Sequence, residues 1–172
     1  MKSNIYNNYL KILHSELIPA MGCTEPIAIA FAAAKLSEVL EGMPDEMTAA
    51  CSGNIIKNVK GVVVPNSGGL RGVEAAAVLG AYAGKADLEL EVISQVTEEE
   101  QKQVKMLWEK GVCRCELVNG EGNLFIRMSG SRGNDRASVV VQEEHNHISR
   151  IEKNGVVLFE QAQIQKEENG DK

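Results

Sequence analysis

Two alanine-rich stretches dominate the hydrophobic pattern in the first half of the chain. Residues 25–41 and 70–83 carry apolar side chains on almost every side of a helix, and glycines at positions 42 and 84 close them. A helix that is apolar nearly all round is a buried helix. The apolar positions of residues 5–17 recur with a helical period and predict one more helix, which is amphipathic. The pattern therefore predicts a core built around buried helices.

Shorter segments lie between the two alanine-rich helices. Residues 47–52 predict a strand that leads into the polar turn Gly53-Asn54, and residues 55–58 predict a single helical turn. Residues 61–65 form a short apolar run that predicts another strand, and the Asn66-Ser67-Gly68-Gly69 sequence predicts a loop.

The second half of the chain changes from helix to strand. Thr97-Glu98-Glu99-Glu100 is a capping box, which predicts a surface helix ending at Lys110. Asn154-Gly155 is a strong hairpin signal. The predicted strands cover residues 112–118, 123–128, 137–143, 148–152 and 156–159.

These elements predict an α+β fold in which buried alanine-rich helices pack on a mixed or antiparallel sheet with a C-terminal β-meander. Residues 1–162 are expected to form one domain, and residues 163–172 a polar tail or linker. No internal repeat is evident in the sequence.

Composition narrows the classes of function. The 172 residues carry a formal net charge of −6 and a pI near 5.2, which argues against a nucleic-acid or anionic-membrane partner. No apolar run is long enough to span a bilayer. The four cysteines do not form a disulfide pattern at this length, so we expect a cytoplasmic protein.

Cys23 is the first candidate for chemistry. Thr24 is suited to cap the helix that follows and Pro26 to its first turn, which places the Cys23 sulfur beside unpaired backbone N–H groups. The positive end of the helix dipole lowers a thiol pKa and favours a thiolate that can bind metal or act as a nucleophile. The alternative is a buried structural cysteine.

A second candidate group follows the strand over residues 47–52. Ser52, Asn54, Lys57 and Asn58 gather a hydroxyl, two carboxamides and an ammonium group within one turn. These groups suit the carboxylate or phosphate of a small ligand. The alternative is a polar turn with a solvated lysine.

Three further motifs carry weaker signals. The glycine-rich loop over residues 65–72 precedes a helix and suits an anion, with a plain loop as the alternative. Cys113 and Cys115 are expected to lie in the core of a strand with Arg114 facing outward. His145 and His147 form an H-x-H pair that we expect to be solvated.

The chain resembles the N-terminal part of the L-cysteine desulfidase family, which is related to the iron–sulfur L-serine dehydratases. The resemblance is carried by GCTEPIAIA, by SGNIIKNVKGVVVPNSGGLRG and by EHNHISRIEKNGVV, spread over nearly the whole chain. The family's usual Gly-His-Thr-Asn stretch is replaced here by Glu144-His145-Asn146-His147.

The resemblance implies a lyase with a [4Fe-4S] cluster that eliminates sulfide or water, together with ammonia, from L-cysteine or L-serine to give pyruvate. Cys23 would be a cluster ligand, and Ser52, Asn54, Lys57 and Asn58 would face the amino acid. Family members are more than twice as long, and their other ligand cysteines lie in a helical C-terminal domain. The chain alone is therefore expected neither to hold the cluster nor to be active.

Several alternatives remain open from the sequence. The chain would be a fragment of a longer enzyme, or one subunit of a split enzyme whose helical domain is supplied by a second chain. The apolar surface exposed by the loss of that domain would also favour a homo-oligomer. The chain would otherwise be a non-catalytic small-molecule-binding or interaction domain. A third hypothesis is a thiol enzyme with Cys23 as nucleophile and His14 or His145 as base. The general base and the choice between cysteine and serine are not identified.

Overall fold

The computed structural model describes residues 24–161, and these residues form an α+β fold around a six-stranded sheet. The predicted fold class is confirmed. The α-helices are α1 (Glu25–Leu40), α2 (Gly53–Val59), α3 (Val73–Ala83) and α4 (Glu98–Glu109), with a 3-10 helix at Ala86–Glu91. The strands are β1 (Glu46–Ser52), β2 (Cys113–Val118), β3 (Phe125–Arg132), β4 (Asp135–Gln142), β5 (Ile148–Lys153) and β6 (Val156–Glu160).

The sheet is mixed, with the strand order β2-β1-β3-β4-β5-β6. Strand β1 pairs in parallel with β2 and antiparallel with β3, while β3 to β6 form the predicted antiparallel meander. The hairpin between β5 and β6 turns at Asn154 and Gly155, which have φ values of 52° and 81°. Two consecutive positive φ angles are what a two-residue turn needs to match the twist of its strands.

Helices α1 and α3 pack closely against each other. A Cβ atom built on Gly80 of α3 would lie 2.5 Å from the Cα of Ala30 in α1, so only glycine allows this approach. The Ser37 hydroxyl of α1 donates a hydrogen bond of 2.7 Å to the carbonyl of Ala81. Alanine on both helices lets the backbones come together, which explains why these stretches are so rich in alanine.

The apolar face of the sheet lies against this helical layer. Helix α1 contacts β3 and β4, helix α3 contacts β1 and β2, and α4 packs against α3. Ile126 and Met128 of β3 face the helices from alternate positions of the strand, and both are fully buried. We call the opposite side of the sheet the open face, because its alternate positions carry polar, partly exposed side chains such as Thr48, Arg127 and Ser129.

The clearest departures from the predicted elements lie between β1 and α4. The strand expected over residues 61–65 is reduced to a single bridge between Val63 and Arg71, because the chain turns back at once: the Val64 N–H donates to the Leu70 carbonyl at 2.8 Å. Helix α3 starts only at Val73, after this turn. The 3-10 helix at Ala86–Glu91 has no counterpart among the predicted elements, and the helix predicted over residues 5–17 lies outside the described range.

Within residues 24–161, no helix combines the length and the apolar character needed to cross a membrane.

Candidate functional site

Ser52 is the last residue of β1 and lies directly before α2. The Ser52 side chain is 4% exposed, and its hydroxyl donates a hydrogen bond of 2.6 Å to the carbonyl of Asn123. This bond ties the end of β1 to the loop that precedes β3. The hydroxyl proton of Ser52 is therefore used within the protein.

The other three predicted ligand-binding residues lie on α2. Asn54 and Lys57 are exposed, and Asn58 is half-buried. Residues three and four positions apart lie on the same side of a helix, so Asn54, Lys57 and Asn58 share one side of α2. Asn54, Lys57 and Asn58 thus lie together, as predicted. The fourth residue, Ser52, forms its hydrogen bond within the protein instead.

Asn58 is part of a polar cluster with Glu25 and His145, which we call the Glu25 cluster. The Asn58 amide nitrogen lies 3.5 Å from the Glu25 Oε2 atom, and the His145 Nε2 atom lies 4.0 Å from the same oxygen. The three residues come from α2, the start of α1 and the loop between β4 and β5. Glu25 and Asn58 also have polar interactions beyond these.

His145 is held with one ring nitrogen buried. Its side chain is 33% exposed, but the Nε2 atom is shielded from solvent and has no hydrogen-bond partner among the described residues. Most buried polar atoms in proteins are hydrogen-bonded, so a shielded ring nitrogen without a hydrogen-bond partner is unusual. The H-x-H pair is therefore less solvated than the sequence predicts.

The loop that carries His145 is fixed by its neighbour His147. The Nδ1 and Nε2 atoms of His147 lie 3.0 Å from the Gln142 carbonyl and 3.2 Å from the Gln161 Oε1 atom. The backbone N–H of His147 also donates to the Glu144 carbonyl at 3.1 Å. These contacts hold the loop across the ends of β4 and β6 and so fix the position of His145.

The helix dipole of α1 acts on the Glu25 cluster. Glu25 is in the first turn of α1, where the positive end of the dipole favours its carboxylate. Pro26 occupies the first turn as predicted, whereas Thr24 is the N-cap residue without a side-chain capping bond. The capping role predicted for Thr24 is wrong, because its backbone has helical angles, φ −80° and ψ −20°, rather than the extended ones a capping side chain needs.

The cysteines in the described part of the chain do not form a cluster site. Burial raises the pKa of Cys51 well above its usual range and that of Cys113 to about 12, while burial and then Glu74 raise the pKa of Cys115 to about 11. Thiols with raised pKa values are largely protonated at neutral pH. Cys23 lies outside the described residues, so its predicted role as a metal ligand remains a prediction.

Two other sequence predictions are resolved by the structure. Cys113 and Cys115 face the buried side of β2 and Arg114 faces outward, as predicted. The loop over residues 65–72 uses its polar groups internally: Asn66 donates to the Ile93 carbonyl at 2.9 Å, and the Leu70 N–H donates to the Ser67 hydroxyl at 2.9 Å. These bonds favour a plain loop over an anion site.

Comparison with known proteins finds no matching family model and no matching solved structure. The chain is 47% identical over 157 residues to a UPF0597 protein of Lachnoclostridium phytofermentans, covering 91% of this chain and 38% of that relative. It is 43% identical over 155 residues to a UPF0597 protein of Treponema denticola, covering 90% of this chain and 36% of the relative. The chain thus spans a little over a third of the length of these curated relatives.

These similarities correct the family assignment made from the sequence. Relatives that match about nine-tenths of the chain are named UPF0597 proteins, not desulfidases or dehydratases, so the assignment to the L-cysteine desulfidase family is wrong. The iron–sulfur lyase function that depended on it is wrong as well. Among residues 24–161, no group of three or more His, Cys, Asp or Glu side chains could hold a metal ion.

The sequence carries only a partial signal for the Glu25 cluster. The sequence shows Glu25 only as part of a helix start, where an acidic residue in the first turn is the signal that marks it. The approach of His145 to Glu25 spans 120 positions of the sequence. Only the pairing of the strands brings these two residues together.

Proposed function

We propose that this region is a small-molecule-binding domain whose ligand is a small amino acid, bound at the Glu25 cluster. The observation that carries the proposal is the convergence of Glu25, Asn58 and His145 from three distant parts of the chain around a buried, unpartnered ring nitrogen. Structural polar groups are normally satisfied within the fold. A ligand that completes the polar contacts of His145 explains this arrangement.

The charges around the cluster favour a zwitterion. The Glu25 carboxylate attracts an ammonium group, and Asn58 provides a carboxamide beside it. Lys57 precedes Asn58 on α2, is exposed, and forms no ion pair with any residue in the range 24–161. Its flexible ammonium group suits a carboxylate. An α-amino acid carries both groups only a few ångströms apart.

His145 and Asn54 extend the proposed site. The imidazole of His145 offers the side chain of the ligand a nitrogen that donates or accepts a hydrogen bond. Asn54 lies one turn before Asn58 and adds a further carboxamide on the same side of α2. A ligand side chain ending in a hydroxyl or thiol fits these partners. The amino acid we propose is therefore small and polar, as in L-serine or L-cysteine.

Calorimetric titration with three probes tests the proposal. L-serine carries both charged groups, ethanolamine lacks the carboxylate and D-glycerate lacks the ammonium group. We expect L-serine to bind at least about tenfold more tightly than either analogue, because a hydrogen bond to a charged group contributes about 1.5–3 kcal/mol. Absence of L-serine binding would refute the proposal.

Two variants test whether Glu25 binds the ammonium group of the ligand and Lys57 its carboxylate. We expect Glu25→Gln to weaken L-serine and ethanolamine alike and to leave D-glycerate unchanged. Lys57→Met should weaken L-serine and D-glycerate but not ethanolamine. Lys60→Met is the matched control, because Lys60 is exposed at the end of the same helix. If Glu25→Gln and Lys57→Met bind all probes as Lys60→Met does, the ligand does not sit at this cluster.

A cytoplasmic location is also part of the proposal. Cys51, Cys113 and Cys115 are free thiols in the described part of the chain, which fits a reducing compartment. Fractionation of cells that express a tagged chain tests this location. Recovery in a secreted or membrane fraction would contradict it.

A further inference from the structure

A polar cavity lies on the open face, at the end of the sheet where β1 begins. It has a volume of about 500 Å³, within the range of small-molecule sites. Strand β1 starts at this cavity with Glu46 and ends with Ser52 beside α2, so the length of the strand separates the cavity from the Glu25 cluster. The polar side chains that line it are Glu46, Thr48, Arg114, Ser129, Ser131 and Arg136.

We infer that this cavity, which we call the arginine cavity, binds a small organic anion that carries a phosphate or carboxylate group. The inference is independent of the function proposed for the Glu25 cluster, with which it shares no residue.

The register of the strands sets the positions of the polar groups. Arg114, Thr48 and Ser129 are direct neighbours across β2, β1 and β3. Ser131 pairs with Arg136 of β4 in the row that begins at Glu46. Paired residues point to the same face, and neighbouring strands lie about 4.8 Å apart. The hydroxyls therefore form a compact patch with an arginine at either side.

The hydrogen-bond donors of these arginine, threonine and serine side chains have no partner among the residues that the structure describes. The guanidinium groups of Arg114 and Arg136 form no hydrogen bond or ion pair with residues 24–161, and neither do the side-chain hydroxyls of Thr48, Ser129 and Ser131. Two cations and three hydroxyls thus line one cavity with all their donor capacity available. A planar guanidinium matches the oxygens of carboxylate and phosphate groups.

A nearby arginine on the same face shows the contrast. The guanidinium nitrogens of Arg150 on β5 lie 3.2 Å from the Glu152 Oε1 atom and 2.8 Å from the Glu160 Oε2 atom. The charge of Arg150 is therefore neutralised within the sheet. The chain has a net charge of −6, which makes carboxylate partners abundant. Arg114 and Arg136 lack such partners within residues 24–161, so their charges are available to a ligand in the cavity.

Glu46 makes the cavity selective. It is exposed and lies in the lining, where its carboxylate repels a simple anion and attracts a hydrogen-bond donor. A ligand that carries a hydroxyl or ammonium group beside its anionic group satisfies both kinds of partner. The ligand class we infer is accordingly a phosphate or carboxylate compound with an adjacent donor.

Titration of the folded chain at low ionic strength, followed by amide NMR, tests the site. Inorganic phosphate and malonate are the two probes, and they distinguish a phosphate ligand from a carboxylate ligand. We expect at least one probe to shift the amides of Thr48, Ser129 and Ser131 in a saturable manner. Arg114→Gln and Arg136→Gln should each weaken that probe at least about tenfold.

Two further variants sharpen the result. Glu46→Gln should strengthen binding several-fold, because it removes the repelling charge. Arg127→Gln is the matched control, since Arg127 lies on the same face outside the lining, near the Phe125 ring. It should leave the affinity within about twofold. The inference is overturned if neither probe binds, or if Arg114→Gln and Arg136→Gln bind the probe as tightly as Arg127→Gln does.

Discussion

The cysteines of residues 24–161 have raised pKa values, whereas a reactive thiol needs a lowered one. Cys51 and Cys113 are buried against the helical layer, and desolvation by burial is the largest cause of their raised pKa values. Cys115 is half-buried on the same strand as Cys113, and Glu74 adds to the effect of its burial. At the scale of single residues these thiols therefore act as small apolar side chains, which fits their position in the core.

Alkylation should reveal this protection. At pH 8 a thiol with a pKa of about 11 is ionised to only about one part in a thousand, against about a quarter for an ordinary thiol. We expect native Cys115 to react with iodoacetamide at least about a hundredfold more slowly than in denaturant, and Cys51 and Cys113 more slowly still. Peptide mass spectrometry over time measures each rate.

The dependence on pH has a defined sign. Because the folded pKa of Cys115 lies above its unfolded value, its thiolate fraction and its rate of alkylation should rise between about pH 9 and 11. Cys51 should stay unmodified over the same range, since burial holds its pKa higher. Rapid labelling of native Cys51 at pH 8 would contradict the packing described for β1.

At the scale of elements, the contact between α1 and α3 depends on a glycine. Gly80 lies in the interior of α3, where glycine is about 1 kcal/mol less favourable than alanine for the helix itself. The neighbouring backbone of Ala30 leaves no room for a Cβ atom. The close approach of the helices therefore outweighs local helix propensity at this position.

Replacing Gly80 should separate the two helices. We expect Gly80→Ala to lower the free energy of unfolding by about 1–3 kcal/mol or more, since overpacking forces the backbones apart. Urea unfolding followed by circular dichroism measures the change. Gly61→Ala is the control, because a Cβ there meets nothing within 4 Å, and it should be neutral or slightly stabilising. Equal stability of the two variants would contradict the close contact between α1 and α3.

The elements that the sequence predicts well are those with a local cause. The capping box at Thr97 forms as predicted, with the Glu100 N–H donating to the Thr97 hydroxyl at 3.1 Å. The turn at Asn154 and Gly155 and the buried helix α1 are likewise set by nearby residues. The strand predicted over residues 61–65 does not form, because the chain turns back and leaves only one bridge, between Val63 and Arg71.

The candidate site is predictable only in part for the same reason. Asn54, Lys57 and Asn58 can be identified together because they are close in sequence and share one side of a helix. Strand pairing brings His145 close to Glu25. It also places Arg114 and Arg136, which lie on different strands, in the lining of one cavity. Single-sequence patterns do not specify which strands pair, so these groups become visible only in the fold.

At the scale of the whole molecule, the two ends of the sheet differ in character from the edge strand β6. Polar groups occupy both ends, whereas β6 is apolar and exposed. Its residues Val156, Val157, Leu158 and Phe159 are 59%, 42%, 56% and 42% exposed. An exposed edge strand offers unpaired backbone groups to another chain, and apolar side chains strengthen such pairing. This edge is therefore the surface through which we expect copies of this chain to pair.

A charge on this edge should reduce self-association. We expect Leu158→Lys to lower the concentration-dependent rise in sedimentation coefficient, because a lysine on an edge strand opposes pairing with a second copy. Leu117→Lys is the matched control: Leu117 is 58% exposed, but it lies on β2 at the opposite edge. If Leu117→Lys disperses the protein and Leu158→Lys does not, association runs through β2 instead. A wild-type chain that stays monomeric at every concentration tested would show that β6 does not drive assembly of this region.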